Sequence, residues 1–142
     1  MQIPGHLAVA LAQASLPPLR RGSKRLLLVL LLASLFPDMV DKTIGYIFHL
    51  MPNGRHYAHN LFSLLGSTLL VTLLAGRSTG GAWFLGYLGH LLVDTERMVP
   101  WFFPVKQYSF KKGRLHFKPA QLGREFLFLV LVLLLRRLSQ AR

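Results

Sequence analysis

Two stretches, Leu26–Phe36 and Phe126–Leu135, are apolar on every face that a helix could present. A soluble helix carries one apolar stripe and turns polar residues outward. Helices without a polar face must be enclosed, and 142 residues amount to one domain, with no room for a second core. Lipid is the simplest covering. Composition agrees, with 52% of residues hydrophobic and 15% charged, against about 25% charged in a typical soluble domain. The rival is a soluble all-helical bundle with a greasy core. It draws on span length, since a full crossing takes about 20 apolar residues and these charge-free stretches are shorter. Weighing composition above span length gives an all-α fold. The expectation is a small integral-membrane helical bundle of about five helices, one membrane-embedded domain over residues 1–142, multi-pass, with some segments tilted, half-inserted or re-entrant.

Pro, Gly and charge clusters mark off five segments. The first runs from about Pro4 to Leu16 and stops at Pro17-Pro18; a basic turn follows, with Arg20, Arg21, Lys24 and Arg25. The second, Leu26–Phe36, ends at Pro37-Asp38. The third covers Ala58–Ala75 and breaks at Gly76-Arg77-Ser78; the fourth covers Gly81–Thr95. Pro100, Pro104, Gly113 and Pro119 keep the next, aromatic and basic, stretch irregular before the fifth segment, Gln121–Leu135. Met1–Gly5 carries no positive charge, and Gln13 and Ser15 interrupt the apolar run, so the first segment reads as a retained helix rather than a signal peptide.

The charges are lopsided, 17 Lys+Arg against 5 Asp+Glu for a net +12. Such an excess suits an anionic partner, and beside so much apolar surface that partner is the phospholipid headgroup. Nucleic-acid binding through the basic stretches is the weakest reading. No cysteine is present, which excludes disulfides and thiolate metal sites. Nothing in the pattern specifies an oligomeric state.

Ionisable groups on apolar helices are costly, so each is a functional candidate. His6 starts the first helix, Asp38 ends the second with Asp41 just beyond, His59 starts the third with His56 one turn before, and His90 and Asp94 close the fourth. In an up-down bundle those four helix ends share one face. The opposite face receives the Arg20–Arg25 turn, Arg77 and Arg136-Arg137, without acid or histidine. His90 and Asp94, at i,i+4, lie about 40° apart on one helix face. Imidazole with carboxylate suits Zn²⁺, and also Mn²⁺ or Fe²⁺. Each residue has a plainer reading: His6 as an interfacial residue, Asp38 as part of a helix stop, His56 and His59 as caps, and His90 with Asp94 as a buried hydrogen-bonded pair. His49 and His116 have no convergent partners; Glu96 and Glu125 are possible extra carboxylates.

In these positions the chain resembles the family of membrane-bound, metal-dependent hydrolases that includes the LexA-regulated inner-membrane type. The matching pieces, in order, are Gly5-His6, LFPDMVDK at Leu35–Lys42, GRHYAHNLF at Gly54–Phe62, GYLGHLLVDT at Gly86–Thr95 and VPWFFPVKQYSF at Val99–Phe110. Together they span nearly the whole chain. The family pattern maps onto Asp38, Arg55 with His59, and His90 with Asp94. The chain departs from it at Gly54, where some members have histidine, and at Asn60, where many have Ser or Thr. Neither the place of His56 nor the number of metal ions therefore follows from the resemblance. The resemblance implies a bacterial inner membrane; the family is held to be distantly similar to the zinc-dependent phospholipase C and P1-type nuclease fold, and that similarity implies phosphoester hydrolysis.

The resulting expectation is a metal-dependent hydrolase acting on a phosphoester or lipid-like substrate at the membrane interface. His6, Asp38, His59, His90 and Asp94 would hold one or two divalent ions, Zn first. Arg55 would hold a phosphate or stabilise developing charge, and Asp41 would serve as general base. The aromatic and basic Val99–Lys118 stretch would rest on the interface and recruit anionic substrate. The alternative is a non-catalytic membrane protein in which the same set is a structural metal staple or hydrogen-bonded cluster.

Overall fold

The computed structural model describes residues 2–16, 19, 22–94, 99–110, 112 and 118–140. Pro17, Pro18, Arg20, Arg21, Thr95, Glu96, Lys111, Gly113, Arg114 and His116 lie outside the described residues. Among the described residues five α-helices carry the fold: α1 Ile3–Gln13, α2 Lys24–Lys42, α3 Leu61–Ala75, α4 Arg77–Val93 and α5 Pro119–Gln140. No strand occurs among the described residues, so the all-helical expectation holds.

The helices alternate in direction. The α3–α4 pair turns at Gly76, whose φ of 87° needs a residue without Cβ, and is joined across its length by Trp83 Nε1 donating to Ser67 Oγ. Against α1, α5 runs parallel: Glu125 reaches Gln2 and Gly5 near one end, and Arg136 reaches the Leu11 carbonyl near the other. Two glycines set how closely α4 approaches its neighbours. A Cβ on Gly86 would stand 2.3 Å from the Leu30 carbonyl oxygen of α2, and one on Gly89 would stand 2.5 Å from the Gln13 side chain of α1. Gln13 Nε2 uses that opening to donate to the Leu85 carbonyl at 2.9 Å. Ala33, Leu64, Tyr87, Leu91 and Val99 form the core nearer the histidines; Ala10, Ala14 and Leu30 form the one nearer the basic turn.

Two boundaries differ from those read in the sequence. Instead of stopping at Pro37, α2 continues to Lys42 and then through a π-helical turn, Thr43–Ile47. Proline inside a helix removes one i→i−4 bond and crowds the preceding turn, yet Lys42 pairs with Asp38 one turn earlier and His90 bonds the Ser34 carbonyl. These tertiary and i,i+4 contacts outweigh the break. Similarly, only Gly76 interrupts the α3–α4 turn; Arg77 and Ser78 already belong to α4.

Among the described residues no helix is long and apolar enough to cross a membrane. At 15 residues, α3 is about 22 Å long against a hydrocarbon core of about 30 Å. The longer α2 and α5 carry charges inside both ends. The helix lengths therefore lend no support to a multi-pass topology. Large apolar side chains are nonetheless exposed along α3 (Leu69, Leu73 and Leu74 at 60%, 74% and 79%) and along much of α5.

Candidate metal centre

His6, Asp38, His59, His90 and Asp94 converge at one end of the bundle, as the alternation of helix direction requires. All are buried. Among the described residues, Asp38, His59, His90 and Asp94 each offer a ligand atom within 4.8 Å of the others. His6 adjoins them, with Nε2 3.8 Å from Asp38 Oδ2 and 3.8 Å from Asp94 Oδ1 and its ring stacked on His90 at 4.0 Å between centroids.

Hydrogen bonds on the far side of two rings decide what they present to the centre. His90 Nδ1 lies 2.7 Å from the Ser34 carbonyl oxygen. A carbonyl only accepts, so Nδ1 carries the proton. His59 Nδ1 lies 2.8 Å from Asp41 Oδ2 and donates in the same way. In the neutral rings both Nε2 atoms then carry lone pairs. They face one another at 3.1 Å, with Asp38 Oδ1 3.6 Å and 3.9 Å away. Asp38 Oδ1 and both His6 nitrogens have no hydrogen-bond partner among the described residues. Buried acceptors crowded in this manner need a cation between them, a metal ion or a proton. A three-histidine, two-aspartate donor set meets that need with the chemistry of a transition-metal site.

Local sequence explains how His59 is held. Asp41 accepts from the main-chain N–H groups of His56 (2.7 Å), Ala58 (2.9 Å) and His59 (3.1 Å) in addition to the His59 ring. Asn60 caps α3 through Ser63 N and donates to the carbonyls of His56 and Tyr57. Tyr87 of α4 donates its hydroxyl to the Ala58 carbonyl at 2.5 Å. The segment from His56 to Asn60 is thus irregular but tied on three sides. Burial disfavours the His59 imidazolium, but hydrogen bonds and charge from Asp38 and Asp41 outweigh it and raise the ring above its ordinary value.

These bonds correct one expected role. Asp41 is buried with both oxygens engaged by main-chain donors and Oδ2 also by the His59 ring, so it orients that ring rather than standing free as a general base. Arg55 lies beside the centre, its Nη2 2.7 Å from Asp94 Oδ2. Burial opposes ionisation of Asp94; the Arg55 guanidinium prevails and holds the carboxyl below the usual carboxylate range. His56 is buried between Phe103 and Phe110 and contributes no atom to the ligand group. His49 is exposed beyond the π turn; His116 and Glu96 lie outside the described residues. Glu125, on α5, bonds the first turn of α1 and contributes no atom to the ligand group.

Lys42 was not singled out in the sequence. It pairs with Asp38, and its i+4 spacing from that residue was the available signal. Nothing in the sequence marked the Ser34 carbonyl, a main-chain atom whose role depends on the crossing of α2 and α4.

The family model described as YdjM inner membrane protein matches residues 1–141. The chain belongs to the YdjM inner membrane protein family. That description places it among inner membrane proteins and names no activity. No curated protein and no solved structure matches the chain. Hydrolysis and a nuclease-like scaffold rest on the resemblance of the motifs alone.

Proposed function

We propose that this chain is a metal-dependent hydrolase of the inner membrane, acting on a phosphoester or lipid-like substrate at the headgroup layer. The observation that carries this reading is the pair of facing Nε2 lone pairs on His59 and His90, ringed by Asp38, Asp94 and His6. These five side chains would hold one or two divalent ions, with Zn²⁺ first and Mn²⁺ or Fe²⁺ next by donor type. Such an ion supplies Lewis-acid polarisation of a phosphoryl or acyl oxygen and activation of water. Asp41 and the Ser34 carbonyl fix the orientation of the His59 and His90 rings. Arg55 and Lys42, each paired to a ligand carboxylate, place two cations where a substrate phosphate would meet the centre.

The segment that packs on this end would deliver the substrate. Leu61 N donates to the Trp101 carbonyl, and Phe103 packs against His56 and Tyr57. Phe102 and Val105 are exposed, with Lys106 over the Tyr108 ring. Aromatic and basic residues in that mixture suit the interfacial layer of an anionic membrane. The bundle would sit against lipid through the exposed leucines of α3 and α5 rather than by complete crossings.

The decisive experiment is elemental analysis of detergent-purified protein beside the His90→Ala/Asp94→Ala variant, with hydrolysis assayed on phosphodiester and phospholipid substrates. Stoichiometric metal in the wild type, lost with activity in the variant, supports the proposal; metal-free wild-type protein sinks it. One observation favours a second reading. His59 and Asp94 are 0% exposed, a depth that also suits a structural staple. Under that reading the double variant loses metal and thermal stability while no substrate is turned over.

A further inference from the structure

Helix α1 begins without a cap of its own. Gln2, at the N-cap, makes no side-chain capping bond, and no acidic residue stands in the first turn. The first N–H groups of a helix need acceptors, and its positive end favours an anion. Both needs are met from α5. Glu125, 7% exposed, accepts from Gln2 N at 2.8 Å and 3.1 Å and from Gly5 N at 3.2 Å. Gln121, one turn earlier on α5, donates to the same carboxylate at 2.8 Å.

The residue after Gly5 is His6. The other two imidazoles of the centre are oriented by a hydrogen bond on their far nitrogen, from Asp41 and from the Ser34 carbonyl. Neither nitrogen of His6 has such a partner among the described residues. Its ring is therefore aimed by the position of its own backbone and by the stack on His90. The backbone position is what Glu125 fixes.

We propose that Glu125 is a positioning residue of the metal centre: by clamping the first turn of α1 it sets His6 Nε2 against Asp38 and Asp94. The proposal rests on the reading of the cluster as a metal centre. It gives α5 a part in the site although it contributes no ligand, and it makes His6 the ligand most sensitive to the docking of α5.

The test is a double-mutant cycle on the full chain in detergent, with Zn²⁺ affinity measured by chelator competition and folding followed by far-UV circular dichroism. Glu125→Ala is expected to weaken Zn²⁺ binding by roughly 10- to 100-fold, the usual cost of losing a group that orients a ligand. Glu125→Gln keeps an acceptor for Gly5 N and recovers part of that loss. In a His6→Ala background, Glu125→Ala should weaken binding no further, because the route through His6 is already gone. Additive losses, or Glu125→Ala binding Zn²⁺ as the wild type does, overturn the proposal while leaving the metal centre standing. A wild type that binds no Zn²⁺ overturns both. Should Glu125→Ala fail to fold, the cycle is run with Glu125→Gln and read by the same criterion.

Discussion

The Asp41 carboxylate accepts three main-chain N–H groups and the His59 ring, so its effect on the site runs through the shape of one loop. In Asp41→Asn one oxygen becomes a donor and faces N–H groups that can only donate. Hydrogen bonds to charged groups contribute roughly 1.5–3 kcal/mol, and a loss of about that size is expected in chemical denaturation. Metal affinity should fall by roughly 10- to 100-fold, as for other groups that orient a ligand. Unchanged stability would mean that the loop holds itself. Asn60→Ala removes the α3 cap and two bonds to the same loop, for an expected loss of about 1–2 kcal/mol, read from the thermal midpoint. The sequence made the ligand types and their grouping legible, because Asp38, His59, His90 and Asp94 stand at helix ends that alternation brings together. It set Asp38 among the candidate ligands and Asp41 outside them, but it did not show that Asp41 orients His59. That role depends on the path of the loop from His56 to Asn60, which brings three main-chain N–H groups and the His59 ring onto the Asp41 carboxylate.

For Asp38 and His90 the packing of α2 on α4 sets the distance between the candidate ligands. Gly86 lets the Leu30 turn of α2 come against α4, about two turns before Asp38 on α2 and one turn before His90 on α4. In Gly86→Ala the new methyl meets a main-chain oxygen at 2.3 Å, which a side-chain rotation cannot relieve. The helices must part, at an expected cost of roughly 1–3 kcal/mol, with weaker metal binding as Ser34 and His90 separate. Gly66→Ala on α3 is the control. Nothing lies within 4 Å of its Cβ, so better helix propensity should add up to about 1 kcal/mol. Equal effects at both positions in urea titrations would refute the close-approach argument. Composition and punctuation located all five helices, but Pro37 misled the reading of α2. A proline ends a helix by default, and the opposing contacts from Lys42 and His90 exist only once α2, α4 and the π turn are assembled.

As an object in a membrane the bundle is divided between two kinds of surface. One end gathers all three aspartates of the chain, Asp38, Asp41 and Asp94. The other end is basic, where Lys24 and Arg136 line a cavity of about 190 Å³ walled by Ala14, Leu26, Leu27 and Leu30. Between the ends, α3 and α5 expose leucine after leucine. Two forces could hold such a molecule to an anionic bilayer, and they separate with salt. Charge attraction at a net +12 is screened within about 10 Å at moderate ionic strength. Apolar contact contributes roughly 25 cal/mol per Å² removed from water and survives salt. Exposure of Leu69, Leu73 and Leu74 on one helix places the larger share with apolar contact. The protein in isolated membranes should therefore stay in the pellet through high-salt and alkaline washes and leave only with detergent. Replacing Leu69, Leu73 and Leu74 together by Gln should make the high-salt wash effective while leaving helicity unchanged, since all three side chains are exposed. Release of the unmodified chain by salt alone would assign the attachment to charge, and with it the orientation argued from the α3 and α5 faces would fall.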